Sequence, residues 1–491
     1  MPEVRFVSGV LIAVGLLLAL ARLLKLPQSA VLFVGGLAST LLPGLLPAVH
    51  VDPEVVLGLL LPPLLYAGTA ALSVDLLRHA FGRGVLGGAA LVIGITLLVA
   101  EATRLLLPGI DPAACLLVRI AVSIGDTRLA QETGQDQQLP RVLTDAFAGQ
   151  GVSARLIVVT LYLLARNSIG GPPPGPAETL LRLGTDLAGG GAIGFAVGLA
   201  AAEFRRRIGP ATVEVAVSVT TPFLAAALAE AAGVSVAVVI VAAALTVSWR
   251  AVDRQTGEAI SSPEARLVSR HFWLEVGVLL SGGLFFLMGR ALPEALTGLG
   301  RFGWQRLVLA AMLLLAPVLA IQFLMALLVQ VLPGTPPVPG ADGRPAGRLR
   351  TAAAASWSGH RSVIALALVL AVPGATPDGR PYPDRDLVLA LTGLLVVGSG
   401  LLQGAMLAQT LAWAKLGGAE EKEHEGKVAH AQAMAAQDHA SHAEPEVAAA
   451  EGRRALTQLR QADAIGDAAL READHAVALR AHAEQASGKR V

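Results

Sequence analysis

Between residues 6 and 416 the chain is a succession of long apolar runs, separated by short polar or Gly/Pro-rich breaks. Many runs reach the ~20 residues that an α-helix needs to cross a bilayer core. The pattern predicts thirteen spans, at roughly 6–24, 29–47, 54–72, 84–107, 112–137, 140–165, 178–203, 211–232, 234–249, 272–297, 303–332, 351–372 and 385–416. Breaks such as "GGPPPGPAE" and "PGTPPVPGADGRPAG" carry the residues that end helices. The first run, "FVSGVLIAVGLLLALARLL", has no small-residue cleavage site behind it and reads as a span, not a removable signal. Span five is irregular, because its second half, "RLAQETGQDQQ", is strongly polar.

From about residue 418 the pattern changes to a hydrophilic stretch rich in Ala, Glu and His. Two domains are expected: a transmembrane domain over 1–417 and a partly helical hydrophilic tail over 418–491. Within the tail, Leu456, Leu459, Ile465, Leu470, Val477 and Leu479 fit a helical pair that turns near "AIGDA". The tail histidines match no compact metal spacing, so the tail reads as a solvated charged segment.

Composition agrees with the pattern. The 491 residues are 54% apolar and 15% charged, with a mean hydropathy of +0.62. That excludes an ordinary soluble domain and assigns an all-α polytopic membrane protein with the lipid bilayer as its surroundings. The single cysteine, Cys115, permits no disulfide within the chain, and a net charge of +1 predicts no nucleic-acid partner. With the tail placed in the cytoplasm, the inner connections carry 15 Arg and Lys against 9 outside. The dense "RRR" cluster, Arg205 to Arg207, is then inside. The positive-inside rule therefore predicts a multi-pass protein of the cell inner (plasma) membrane, with its N-terminus outside and its tail cytoplasmic.

Ionisable groups within the spans mark candidate function. Arg155 lies about mid-depth in span six, where an arginine faces either a water-filled cavity or an acidic partner, unless it serves a purely structural ion pair. Asp126, in "SIGDTR", is either the carboxylate of a helix interrupted in mid-membrane or a span-end residue at the interface. Arg361, in "WSGHRSVIALAL", is also at mid-depth, with His360 beside it as a packed polar residue or a proton relay. Glu230 and Glu275 lie near span ends. The sequence holds no nucleophile–base pair, phosphate-binding glycine loop or zinc constellation, so neither an enzyme nor a cofactor or metal site is predicted.

Several segments, in order, resemble the monovalent cation:proton antiporters of the sodium/proton exchanger type. They are "KLPQSAVLFVGGL", "LLLPPLLYAGTAALSVDLLRH", "LAEAAGVSVAVVIVAAAL", "FWLEVGVLLSGGLFFLMG" and "WSGHRSVIALAL". The resemblance implies a homodimeric inverted-repeat transporter with interrupted helices in spans five and twelve, short helices in a cytoplasmic tail, and a monovalent cation (sodium or potassium) and the proton as substrates. In that family a Thr-Asp-Pro motif in span five precedes a Gly-Glu-Ser-x-x-Asn-Asp motif in span six, whose last Asp binds the cation or the proton.

Here the Thr-Asp-Pro positions are Gly125, Asp126 and Thr127, and Pro140 stands at the family's spacing. The Glu and Ser positions become Gln150 and Gly151, and the Asn-Asp pair becomes Ala154 and Arg155. A cation thus stands where the family has its ion-binding carboxylate. The candidate ion and proton site residues are Asp126, Gln150, Ser153, Arg155 and Arg361. The expected arrangement pairs Asp126 with Arg155, filling the site internally. Two other readings stay open: a transporter of the same fold with an anion or organic acid as substrate, and a transport-inactive membrane sensor or assembly partner.

Overall fold

The computed structural model describes every residue except 1, 25, 42–51, 71, 73–76, 79–80, 127–138, 173–174, 208–210, 251–262, 300–302, 332–336, 441–444, 463 and 489–491. Its helices are α1 (Pro2–Leu24), α2 (Gln28–Ser39), α3 (Pro53–Ala70), α4 (Gly87–Leu106), α5 (Pro112–Ser123), α6 (Arg141–Asn167), α7 (Pro176–Arg207), α8 (Ala211–Ala232) and α9 (Val236–Trp249). They continue as α10 (Pro263–Thr297), α11 (Trp304–Val329), α12 (Arg348–Ser358), α13 (Val363–Leu370) and α14 (Arg385–Ala414). The hydrophilic tail forms α15 (Gly418–His439), α16 (Pro445–Gln461) and α17 (Asp467–Gly488).

Among the described residues nine helices are long and apolar enough to cross a membrane, and α2, α5 and α9 are shorter apolar helices. Large apolar side chains such as Ile12, Leu16, Leu105, Leu181 and Met312 face outward, as a lipid-bathed surface requires. Lipid supplies no hydrophobic force between helices, so close packing must hold them together. Glycines provide it. A Cβ at Gly36 would collide with the Phe286 carbonyl, and one at Gly289 with the Phe33 carbonyl, which brings α2 and α10 backbone to backbone. Gly194 and Gly198 of α7 approach the Val239 and Ala243 carbonyls of α9 in the same way.

Among the described residues, two spans depart from continuous helix. Span twelve is divided: α12 ends at Ser358, His360 and Arg361 form a short strand β2, and α13 begins at Val363. In span five, α5 ends at Ser123 and the chain extends through β1, Gly125–Asp126. The strands pair antiparallel, Gly125 with Arg361 and Asp126 with His360, so the two interruptions cross one another inside the protein. Expected interruptions in spans five and twelve are thus present. The polar stretch 128–138 lies outside the described residues, as does the Asp126 side chain.

Elsewhere α10 starts at Pro263, ahead of the expected 272, because the polar "PEARLVSR" continues the helix beyond the apolar run. The core around α5, α13 and α14 is almost wholly aliphatic, with Val118, Ala365, Leu368 and Leu391 at 0% exposure. Separate apolar clusters join Leu143, Leu407 and Leu411 near the start of α6, and Ala433, Leu456 and Val477 within the tail.

Candidate functional site

A crossing of two broken helices leaves helix-end carbonyls and amides with no intrahelical partner, in a place where water is scarce. The sequence supplies side chains for several of them, and the two segments satisfy others between their own backbones. Arg361, fully buried, donates from Nη1 to the Val122 carbonyl in the last turn of α5 at 2.8 Å. That places a positive charge at the negative end of a helix. Its Nη2 lies against Gly125, where a Cβ would be 3.4 Å away. Nε and Nη2 have no hydrogen-bond partner among the described residues. The Ser362 N–H donates to the Ile124 carbonyl at 3.1 Å, and the Arg361 N–H to Ser399 Oγ at 3.3 Å.

The end of α12 is held from two other helices. Gln322 Nε2 of α11 and Gln403 Nε2 of α14 both donate to the Gly359 carbonyl, at 2.8 and 2.9 Å, and Gln403 also reaches the Ser356 carbonyl at 3.0 Å. Because a carbonyl only accepts, both amides must turn their nitrogens toward Gly359. Ser362 Oγ accepts the Ile364 N–H and caps α13.

Beside this crossing opens a cavity of about 650 Å³. Ser123 and Gly125 line it from span five, Gln150, Gly151, Ala154 and Arg155 from α6, and Gln322 from α11. Arg155 is half-buried, and its guanidinium lies against the backbone of α3: a Cβ on Gly68 would stand 2.9 Å from Nη2. A larger residue there would push the guanidinium aside. Ser153, by contrast, is buried and does not join the described residues of the cavity wall. It packs against Gly88 and donates to the Gln150 carbonyl of its own helix at 3.0 Å. The structure thus gathers Gln150, Arg155 and the backbone of Gly125 around one cavity, with Arg361 behind its wall. Glu230 and Glu275 are exposed and stand apart from it. His360 is buried and contributes its backbone to the strand pairing.

Sequence reasoning passed over Gln322, Ser362, Ser399 and Gln403. The available signal was a lone polar side chain in an apolar run, such as "AIQFL" and "LLQGAML". It also passed over buried Asp186, at a π-helical turn within α7, whose Oδ1 accepts the Ser235 N–H at 3.1 Å at the start of α9. A further cluster joins spans five and thirteen at the end remote from the crossing. Asp111 Oδ2 caps α5 by accepting the Ala113 and Ala114 N–H groups, and receives the Tyr382 hydroxyl at 3.0 Å. Asp384 accepts the Asp111 N–H at 2.8 Å. Burial, then the charges of Asp111 and Asp384, push the Tyr382 phenol well above its ordinary value, so it stays a donor.

Comparison with known proteins agrees with this arrangement. Residues 9–413 match the sodium/hydrogen exchanger transmembrane domain. The chain belongs to the sodium/hydrogen exchanger family. It is 28% identical over 384 residues to an uncharacterized Na(+)/H(+) exchanger of Mycobacterium tuberculosis, covering 76% of this chain and 68% of that one. It is 28% identical to the Na(+)/H(+) antiporter NhaP of Pseudomonas aeruginosa, covering 72% of this chain and 79% of that one. Its fold is similar to that of the sodium proton antiporter MjNhaP1 of Methanocaldococcus jannaschii, with a TM-score of 0.63 at 12% identity over 84% of this chain and 99% of that chain. The protein is therefore a multi-pass membrane protein of a cation/proton antiporter family.

Proposed function

We propose that the protein exchanges a monovalent cation, sodium or potassium, for protons, with Asp126 as the titrating carboxylate and Arg155 as its resident counter-ion. The observation that carries this reading is the guanidinium of Arg155, which faces the cavity beside the crossing, at the position that the sequence resemblance matches to the family's ion-binding aspartate. A carboxylate near that cation is satisfied when empty. A proton or a metal cation arriving at Asp126 displaces Arg155, and the two ligands exclude one another, which couples their fluxes. At about 4 Å a guanidinium opposes a bound cation by several kcal/mol even at an effective dielectric of 20, so Arg155 sets a weak cation affinity. Arg361 organises the crossing and does not touch the ion. The protein works as a homodimer in the inner membrane, with its N-terminus outside and its tail in the cytoplasm.

The test is proton flux in proteoliposomes under an imposed pH gradient. Sodium, potassium or lithium salts should dissipate the gradient with the parent protein and fail to do so with Asp126→Asn. Equal cation-driven flux in Asp126→Asn would overturn the assignment. A second reading, an anion or organic acid as substrate, draws on the same guanidinium in the cavity. Anion-dependent proton movement that ignores the cation would mark it.

A further inference from the structure

The cavity extends away from the crossing along α6 to that helix's first turn. From Arg155 back to Arg141 this is about 21 Å at 1.5 Å per residue. There the wall is no longer made by the membrane domain alone. Arg141 and Asp145 line the cavity from α6, while Lys422 and Glu425 of α15, and Gly466 before α17, line it from the tail.

These groups form a latch. Pro140 leaves α6 without a side-chain cap of its own, and the first amide of α6 is capped from the tail instead. The Arg141 N–H donates to Glu421 Oε2 at 2.8 Å. The Arg141 guanidinium meets Glu425 at 3.1 Å and Asp145 at 3.4 Å. Glu425 uses its other oxygen to accept the Gly466 N–H at 2.8 Å, so one carboxylate ties α15, the turn before α17 and α6 together. The side chains of Arg141 and Glu425 are only 13% and 11% exposed, so this is an enclosed contact, unlike a solvated surface pair.

The connection behind the latch is short. α14 ends at Ala414, and Lys415 takes a left-handed conformation with φ 51°, the only non-glycine residue to do so among the described residues. Ala341 N–H donates to the Lys415 carbonyl and Gly417 N–H to the Pro339 carbonyl, which fixes this turn beside the loop before α12. The tail helices beyond it share their own apolar cluster, separate from that of the membrane domain. A self-contained bundle is thus attached at a fixed turn and held at the cavity by charges.

We propose that the tail bundle is a releasable cover on this end of the cavity, held by the Arg141–Glu421–Glu425 latch, and that its release controls access to the cavity from the tail side. Because the latch caps the helix that carries Gln150 and Arg155, docking of the tail is also coupled mechanically to that helix. The proposal does not depend on which ion is carried.

A labelling experiment tests it without any transport measurement. Ala148→Cys, which lines the cavity two turns beyond Arg141, is introduced into the full chain with Cys115→Ala. Vesicles are prepared with the tail facing the bath, verified by cleavage of the tail with added protease. A membrane-impermeant thiol reagent is then applied. Arg141→Glu brings a further carboxylate against Glu421, Glu425 and Asp145 and should raise the labelling rate at least tenfold. Arg141→Lys, which keeps a positive charge opposite Glu425 and Asp145 and leaves the Glu425–Gly466 contact intact, should label slowly. Lys427→Glu breaks the exposed Lys427–Glu423 pair elsewhere on α15 and should label like the parent. Equal labelling of the parent and a monodisperse Arg141→Glu protein would overturn the proposal. So would Arg141→Lys labelling as fast as Arg141→Glu. A protein that passes this test yet carries no cation in any variant would refute the antiport reading and leave the cover standing.

Discussion

Arg361 Nη1 donates to the Val122 carbonyl at 2.8 Å across 239 positions of sequence, and through that contact one interrupted span closes the end of another. The charge at this helix terminus serves the backbone first. Arg361→Ala should therefore destabilise the protein by about 1.5–3 kcal/mol from the lost charge-assisted hydrogen bond alone. Thermal unfolding in detergent would show it, and Arg361→Lys should recover only part, because a single ammonium cannot reproduce the planar fork. A melting temperature unchanged by Arg361→Ala would contradict this role.

Two glycines should respond differently to the same added methyl. At Gly36 the new Cβ meets the Phe286 backbone, which cannot yield, so Gly36→Ala should cost about 1–3 kcal/mol by overpacking. At Gly68 it meets the tip of Arg155, the far end of a flexible side chain. Gly68→Ala should leave the melting temperature close to the parent's and shift the half-saturating cation concentration for proton flux at least threefold. The reverse pattern, an unstable Gly68→Ala with unchanged flux, would show that Arg155 is only packed there.

Tail docking should weaken as the solution becomes less acidic. Burial, with neighbouring Glu425, lifts the Glu421 carboxyl above its ordinary value, against the pull of the Arg141 N–H and charge and of Lys422. Asp145 completes the charged groups at this contact. The docked tail thus holds the Glu421 proton more tightly than a released tail does. Its contribution to docking is full below the ordinary carboxylate pKa and is lost as pH rises through the raised value. Hydrogen exchange in α15, corrected for intrinsic rates, should show more opening at pH 8 than at pH 5. Glu421→Gln should flatten that dependence. Opening that increases toward acid would reverse the sign and refute the account.

The apolar pattern made the membrane helices legible because each is a local property of its own residues. Arg155 and Arg361 stood out as charges within apolar runs, and the first lines the cavity while the second is fully buried. The pairing of Gly125–Asp126 with His360–Arg361 was not, since nothing local links two segments so far apart. Gln322 and Gln403 were hidden for the same reason: an isolated glutamine signals a buried partner without naming the carbonyl. Ser153 has the helical spacing of a site residue, yet its hydroxyl bonds to its own helix. The docking of Glu421 onto Arg141 joins positions 280 residues apart and required the folded chain to be seen.

The claim that Arg155 acts as the resident counter-ion is tested most directly by measuring cation-driven proton flux in proteoliposomes containing Arg155→Gln. Neutralising the guanidinium removes a repulsion of several kcal/mol at about 4 Å. The half-saturating sodium or potassium concentration should therefore fall at least tenfold relative to the parent. An unchanged or higher half-saturating concentration, with flux intact, would contradict the account.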